Sequence, residues 1–331
     1  MHARLTYPLV AAAMLGGLAV RAAAQQPAAP APQLTVSGVA YLQYAYVDAP
    51  VHNNNFDVTR AYVNLLGRFA NGISTRVTTD VYRLAPDNSL QIRLKYAYVA
   101  WTPTGSSLTY KLGLIHTPFV DWEEALWDYR MQGSVALDRN GYLTSADLGA
   151  GVDGKWNNDQ VNGQLTVVNG EGYGGGTGDF RKDVQLRVSV RVKPTDDASR
   201  AGGLRVTGYA GIGKATGGAD RHRYVGMLSY RSQQFTLAGE FAGTKTGAVN
   251  GSVISAFGVY HLTGGKVAAI GRVDLHDPDT NTPNDRNTRI IGGLSYQLSP
   301  NVRLLADIDH LSFQNGATSI NAALLQAQFT F

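Results

Sequence analysis

Between residues 183 and 193 the chain alternates without a break. Val184, Leu186, Val188, Val190 and Val192 take one set of positions, and Asp183, Gln185, Arg187, Ser189, Arg191 and Lys193 take the other. Successive side chains of a β-strand point to opposite faces, so the pattern asks for an apolar surrounding on one side and a polar one on the other. On a helix the same residues would be scattered around the whole cylinder. From residue 33 onward the two-residue period recurs near 33–48, 56–69, 73–83, 90–103, 107–117, 144–157, 160–170, 182–194, 203–214, 222–231, 233–245, 250–263, 265–277, 285–299, 301–313 and 318–331. That is an even set of sixteen, each of a length that crosses a hydrocarbon layer as a tilted strand.

The stretches between them sort into two kinds. With both chain ends placed on the periplasmic side, the turns there are Asn71-Gly72, 102–105, 157–159, Ser232-Gln233, Gly264 and Ser299-Pro300, short and rich in turn formers. Only 194–203 is longer than expected on that side. The opposite connections are longer, including 48–55, 170–180, 214–221 and 277–286. Short turns alternating with long loops predict an all-β fold: a transmembrane, antiparallel, up-and-down β-barrel of sixteen strands. A soluble sandwich shares the strand pattern but not this alternation.

Both ends of the chain fit that location. A basic head, an apolar run from Leu5 to Val20 and the small residues Ala22, Ala23 and Ala24 have the layout of a signal peptide over 1–24, cleaved after Ala24. Residues 25–32, rich in Pro and Ala, read as a tether, and 33–331 as the barrel. The last stretch keeps its register to the end, with Ala323, Leu325, Ala327, Phe329 and Phe331 on one face. It is expected to pair along its whole length with the stretch from Leu34 to Val47 and to close the ring, its phenylalanines forming an aromatic girdle. The expected place is the outer membrane of a Gram-negative bacterium, in contact with lipids and lipopolysaccharide.

The absence of cysteine rules out disulfides, a cysteine-linked lipid anchor and thiolate chemistry. No cofactor and no metal site is expected. His116, Asp121 and Glu123 lack a second nearby histidine, and 277–285 lacks the glycine and closing glutamate of a calcium loop. Residues 172–178 are glycine-rich without the Gly-Lys-Ser/Thr ending of a phosphate loop, so an outer loop is expected there. The net charge of +4 is too small to point to nucleic acid as a partner.

The longest connection, 118–143, follows the fifth strand and carries Trp122, Glu123, Glu124, Trp127, Asp128, Tyr129 and Arg130. So many aromatics suit a segment folded into the barrel, where it would narrow an aqueous channel.

Several stretches, in order, resemble the phosphate-selective porins O and P. They are Phe56–Gly67, with Arg60 before Ala61-Tyr62; Leu94–Trp101; Leu112–Phe119; Asp147–Gly149; Val168–Gly172; and Ala269–Asp274. The resemblance implies a trimeric, general or anion-preferring porin. The lysine-rich phosphate site of that family has no counterpart residue by residue, because 118–143 holds no lysine and several carboxylates.

The apolar registers assign Ala61, Val63, Leu65, Ile92, Leu94, Tyr96, Leu108, Tyr110, Leu112, Leu204, Val206, Val267, Ala269, Val273, Ile290 and Leu294 to lipid. The opposite register holds the basic residues expected to line the pore: Arg60, Arg76, Arg93, Lys95, Lys111, Arg187, Arg191, Arg272, Arg289 and Arg303. Arg68, Lys155, Lys193, Arg205, Arg223 and Arg231 share it, against fewer acids, among them Asp80, Asp153, Glu240, Asp274 and Asp307. Rings of Arg and Lys select anions. The expected function is passive diffusion of small hydrophilic solutes with a weak preference for anions, phosphate among them. The alternative within the channel class is a pore for sugars, with Trp122, Trp127 and Tyr129 stacking on the rings. Outside it stand a barrel enzyme and a structural or adhesive barrel. No enzyme is expected, since His222, His261, His276 and His310 are scattered and accompany no nucleophile motif.

Overall fold

The computed structural model describes residues 31–50, 52–84, 87–175, 180–215, 217–262 and 264–331. Residues 1–24 and nearly all of 25–32 lie outside the described residues. The strands are β1 (Gln33–Val47), β2 (Asn53–Arg68), β3 (Ile73–Arg83), β4 (Leu90–Trp101), β5 (Leu108–His116), β6 (Ala146–Trp156), β7 (Val161–Val168), β8 (Asp183–Lys193), β9 (Gly203–Lys214), β10 (Asp220–Arg231), β11 (Phe235–Thr246), β12 (Val249–His261), β13 (Val267–Asp277), β14 (Asn287–Ser299), β15 (Val302–Phe313) and β16 (Ile320–Thr330). Each pairs antiparallel with its neighbours in sequence, and β1 pairs with β16, so the sheet closes into a sixteen-stranded barrel as expected. Two short helices, α1 (Val120–Trp127) and α2 (Ala136–Arg139), interrupt the strands between β5 and β6. No helix among the described residues is long and apolar enough to cross a membrane.

Closure runs to the last residue: Phe331 and Gly38 exchange backbone hydrogen bonds of 3.0 and 2.9 Å. The Phe331 ring lies where a Cβ on residue 38 would stand, 2.3 Å away, so any larger residue there must push the ring aside. The barrel has no free strand edge among its sixteen members.

β8 shows why the alternation matters. Val184, Leu186, Val188 and Val190 are exposed on the outer face, while Gln185, Arg187 and Ser189 are buried inside. The exposed apolar belt asks for lipid. A lysine or arginine placed on such a face near mid-membrane costs about 2–4 kcal/mol.

Two expectations needed correction. Tyr96 was assigned to the lipid face but is buried inside the barrel, its ring stacked 3.9 Å from that of His116. The pairing between β3 and β4 skips Lys95, a bulge that reverses the register of everything after it. Consequently Tyr96 and Tyr98 face inward, while Val99 and Trp101 lie exposed. The second correction concerns loop length. Only Gly247 and Ala248 separate β11 from β12, on the end of the barrel where long connections were expected.

Candidate functional site

The segment 118–143 enters the barrel. At its base Thr117 N–H donates to Ser145 O at 3.1 Å, and the Thr117 hydroxyl donates to Thr144 O. Asp121 and Glu123 occupy the first turn of α1, where carboxylates suit the exposed N–H groups. The helix ends at Asp128, whose left-handed φ of 49° turns the chain and lets its N–H reach Glu124 O.

Phe119, Val120, Leu126, Trp127, Val135, Ala136 and Leu137 are all fully buried. They form one cluster with inner-face residues of β10 to β13 and β15: Val225, Met227, Ala238, Ala242, Val253, Phe257, Val259, Ala268, Ile270 and Leu305. The Trp127 ring meets that of Phe257 edge-on at 5.4 Å. Hydrogen bonds fix the remainder, including Tyr129 hydroxyl to Ser295 Oγ at 2.7 Å, Gln132 to Asp309 at 3.2 Å and Gln326 to Met131 O at 2.9 Å. A sequence signal for this docking wall did exist. Along β10 to β13 the inward register carries Val225, Met227, Phe257 and Ile270 among its polar residues, so large apolar side chains enter both registers there, unlike in β8.

The basic residues divide into two groups. Arg187 and Arg272 are inward but covered: Arg187 Nε donates to Pro118 O at 2.9 Å and stacks over Trp122 at 4.2 Å, and Arg272 Nη1 donates to Ser134 O at 3.1 Å. Arg231 donates to Ala125 O, and Arg303 to Asp128 O at 2.9 Å. These side chains hold the segment in place. Arg289 pairs with Asp309 at 2.7 Å, and Arg191 donates to Asn158 O at 2.6 Å in the turn after β6.

The second group stands on β2 to β5, away from the docking wall. Arg60 and Arg93 share the buried Asp80, at 3.1 and 2.9 Å. The Arg93 guanidinium also lies over Tyr82 and Tyr173, 4.0 and 4.2 Å from the ring centroids. Lys111 pairs with Asp153. Arg76 donates to Thr78 Oγ1 and Asn64 Oδ1, each at 2.9 Å, and lies 3.1 Å from His116 Nε2. The Lys95 stem is buried, with Nζ 4.5 Å from the centre of the Tyr62 ring and 5.5 Å from that of Tyr96. Neither Arg76 nor Lys95 forms an ion pair among the described residues.

The carboxylates of the segment are spoken for. Glu124 accepts from Arg130 Nε at 2.8 Å, and Asp128 lies 3.3 Å from Arg303. Asp121 lies 2.8 Å from Arg200. Burial works against the Asp121 charge, but Arg200 and His116 outweigh it and hold the carboxyl below its ordinary range. Glu123 is fully buried, and burial together with the nearby Glu240 raises its carboxyl well above the usual range.

Arg200 belongs to the long turn 194–203, whose length stood out in the sequence without suggesting a role. The turn folds inward beneath α1. Ala201 is buried, Asp197 pairs with Arg231 at 2.7 Å, and Arg200 reaches both the side chain and the backbone of Asp121.

No protein-family model matches the chain, and no curated protein sequence matches it. Solved structures do share the fold. An anion-selective porin from Comamonas acidovorans superposes with a TM-score of 0.66 at 12% identity, covering 91% of this chain and 100% of that one. OmpF of Salmonella typhi, in complex with daunomycin, gives 0.66 at 11% identity, covering 90% and 97%. OmpT, an outer membrane protein of Vibrio cholerae, in its trimer form gives 0.63 at 11% identity, covering 91% and 100%.

Proposed function

We propose that this barrel is an outer-membrane channel for passive diffusion of small hydrophilic solutes, with a weak preference for anions. The observation that carries the reading is the asymmetry of charge across the interior. Among the described residues the β2 to β5 wall presents Arg76 and Lys95 without a carboxylate partner, and two arginines on one shared aspartate. On the opposing segment Asp121, Glu124 and Asp128 are each matched by an arginine, and Glu123 is buried. Uncompensated cations beside a narrow aqueous path concentrate anions there.

The aromatic residues speak against the sugar alternative. Trp122, Trp127 and Tyr129 are buried against the wall, so their faces are not free to stack on a solute. The ordered resemblance to the phosphate-selective porins supports an anion channel and keeps phosphate among its solutes. Export through the signal segment 1–24 and insertion among outer-membrane lipids and lipopolysaccharide follow from the same reading. So does a trimer. The outer faces of β1, β2 and β14 to β16 form an apolar groove of about 1050 Å³ lined by Leu42, Phe56, Leu325 and Ala327, and a neighbouring barrel would fill it.

The test is the reversal potential of the purified protein in planar bilayers under a KCl gradient. An anion-directed potential is expected. A cation-directed one refutes the selectivity, and a folded, inserted barrel without conductance refutes the channel.

A further inference from the structure

We infer that Tyr173 is a specificity-determining residue of the channel, one that caps Arg93 and leaves Arg60 as the arginine of that pair open to passing ions. The effect on permeation rests on the channel reading above; the cap itself does not.

The glycine-rich stretch 172–178 reads as a plain outer loop in the sequence, yet the described residues 169–175 turn into the barrel. Asp147, buried on β6, starts the turn: its Oδ2 accepts the N–H of Gly170 at 2.8 Å and that of Gly172 at 3.2 Å. Both glycines have a positive φ, 100° and 72°, a conformation that residues with a Cβ resist. A Cβ at position 172 would also stand 2.8 Å from the Thr144 side chain. Gly175 N–H then donates to Gly172 O at 3.2 Å. This local fold carries Tyr173 to the β3–β4 wall, where it meets Arg93 and Asp80, 80 and 93 residues away in the chain.

At the wall the Tyr173 hydroxyl accepts from Arg93 Nη2 at 2.9 Å and donates to Asp80 Oδ2 at 3.3 Å. Its ring centroid lies 4.2 Å from the Arg93 guanidinium carbon, and that of Tyr82 lies 4.0 Å from it. Arg93 Nε donates to Asp80 Oδ2 at 3.0 Å. A Cβ on Gly174 would stand 2.9 Å from Arg93 Nη1, so the loop backbone passes beside the third nitrogen. Each nitrogen of Arg93 is thus met by protein. Arg60 differs. Its Nη1 donates to Asp80, while its Nε and Nη2 form no hydrogen bond among the described residues. A guanidinium holds an anion through N–H groups that can reach it. The uncharged phenol leaves the charge of Arg93 in place and occupies its donors, so Tyr173 sets how firmly this part of the wall can hold an anion.

Phenylglyoxal, which modifies accessible guanidinium groups, reads the cap directly on the folded full-length protein in liposomes, with the modified arginines located by peptide mass spectrometry. Wild-type Arg93 should stay largely unmodified under conditions that modify Arg60. Tyr173→Ala should bring Arg93 to the reactivity of Arg60, and Tyr173→Phe, which keeps the ring and loses the hydroxyl, should fall between the two. In planar bilayers under a KCl gradient Tyr173→Ala should raise the anion-to-cation permeability ratio by about twofold, since a second set of guanidinium donors then faces the path. An Arg93 as reactive as Arg60 in wild type overturns the inference without recourse to any variant, as does an Arg93 still protected in Tyr173→Ala. An uncapped Arg93 with the permeability ratio of wild type overturns it too. Arg93 uncapped as expected in a folded, inserted barrel without conductance supports the cap and overturns the channel reading instead.

Discussion

Replacing Lys95 by glutamine removes one uncompensated positive charge from the wall while keeping a side chain of similar length. The ammonium makes no ion pair among the described residues, so its field acts on passing ions instead of being spent on a carboxylate. An ion about 6 Å from Nζ interacts with it by about 0.7 kcal/mol in bulk water and about 2.8 kcal/mol at an effective dielectric of 20. Screening over a Debye length of about 8 Å at physiological salt roughly halves these figures. An intermediate dielectric leaves a few tenths to about 0.7 kcal/mol, favourable for an anion and unfavourable for a cation. The anion-to-cation permeability ratio should therefore fall by between about threefold and about tenfold in Lys95→Gln. The assay is the reversal potential under a KCl gradient, repeated at high salt, where the difference from wild type should shrink. A reversal potential that does not move, with conductance intact, refutes the assignment of Lys95 to the permeation path. The loss of its contacts with Tyr62 and Tyr96 costs about 0.5–2 kcal/mol, which a barrel of this size should survive.

Three other predictions probe the framework. Val188→Arg puts a cation on the exposed apolar face and should destabilise the barrel by about 2–4 kcal/mol in urea titrations in lipid, whereas no penalty of that size is expected if this face contacts water. Gly38→Val drives a side chain into the Phe331 ring and should cost about 1–3 kcal/mol; adding Phe331→Ala should restore much of it, and an additive double variant would disprove the contact. Asp121→Asn removes the ion pair between α1 and the turn 194–203 while leaving the Arg200 bond to the Asp121 carbonyl; the partly exposed pair contributes about 1 kcal/mol or less, and its loss should raise amide exchange in α1. The Asp121 carboxyl is held below its ordinary range, so its contribution is present above the unfolded value and is lost only as pH falls through the lower folded one. Wild-type exchange, corrected for the intrinsic rate, should be unchanged between about pH 7 and about pH 5.

What the sequence determined by itself was whatever a two-residue period can encode locally. Val184 to Val192 against Asp183 to Lys193 settles which face of β8 points outward, because each side chain's direction follows from its neighbours along the strand. Repeated along the chain, that rule specified the number of strands, their bounds to within a few residues and the closure of β16 on β1. Facts that depend on a partner strand were beyond it. The bulge at Lys95 exists only in the pairing of β3 with β4, and it turned Tyr96 from the expected outer face to the inner one. The inward register identified Arg187 and Arg272 as readily as Arg76, yet only tertiary packing separates arginines capped by the 118–143 segment from those on the uncovered wall. The same packing buried Trp122 and Trp127 and brought Arg200 to Asp121. Such contacts join residues far apart in the chain, and no local pattern specifies which charge will meet which. The alternation made the barrel; the fold of one connection inside it decided which charges remain uncompensated.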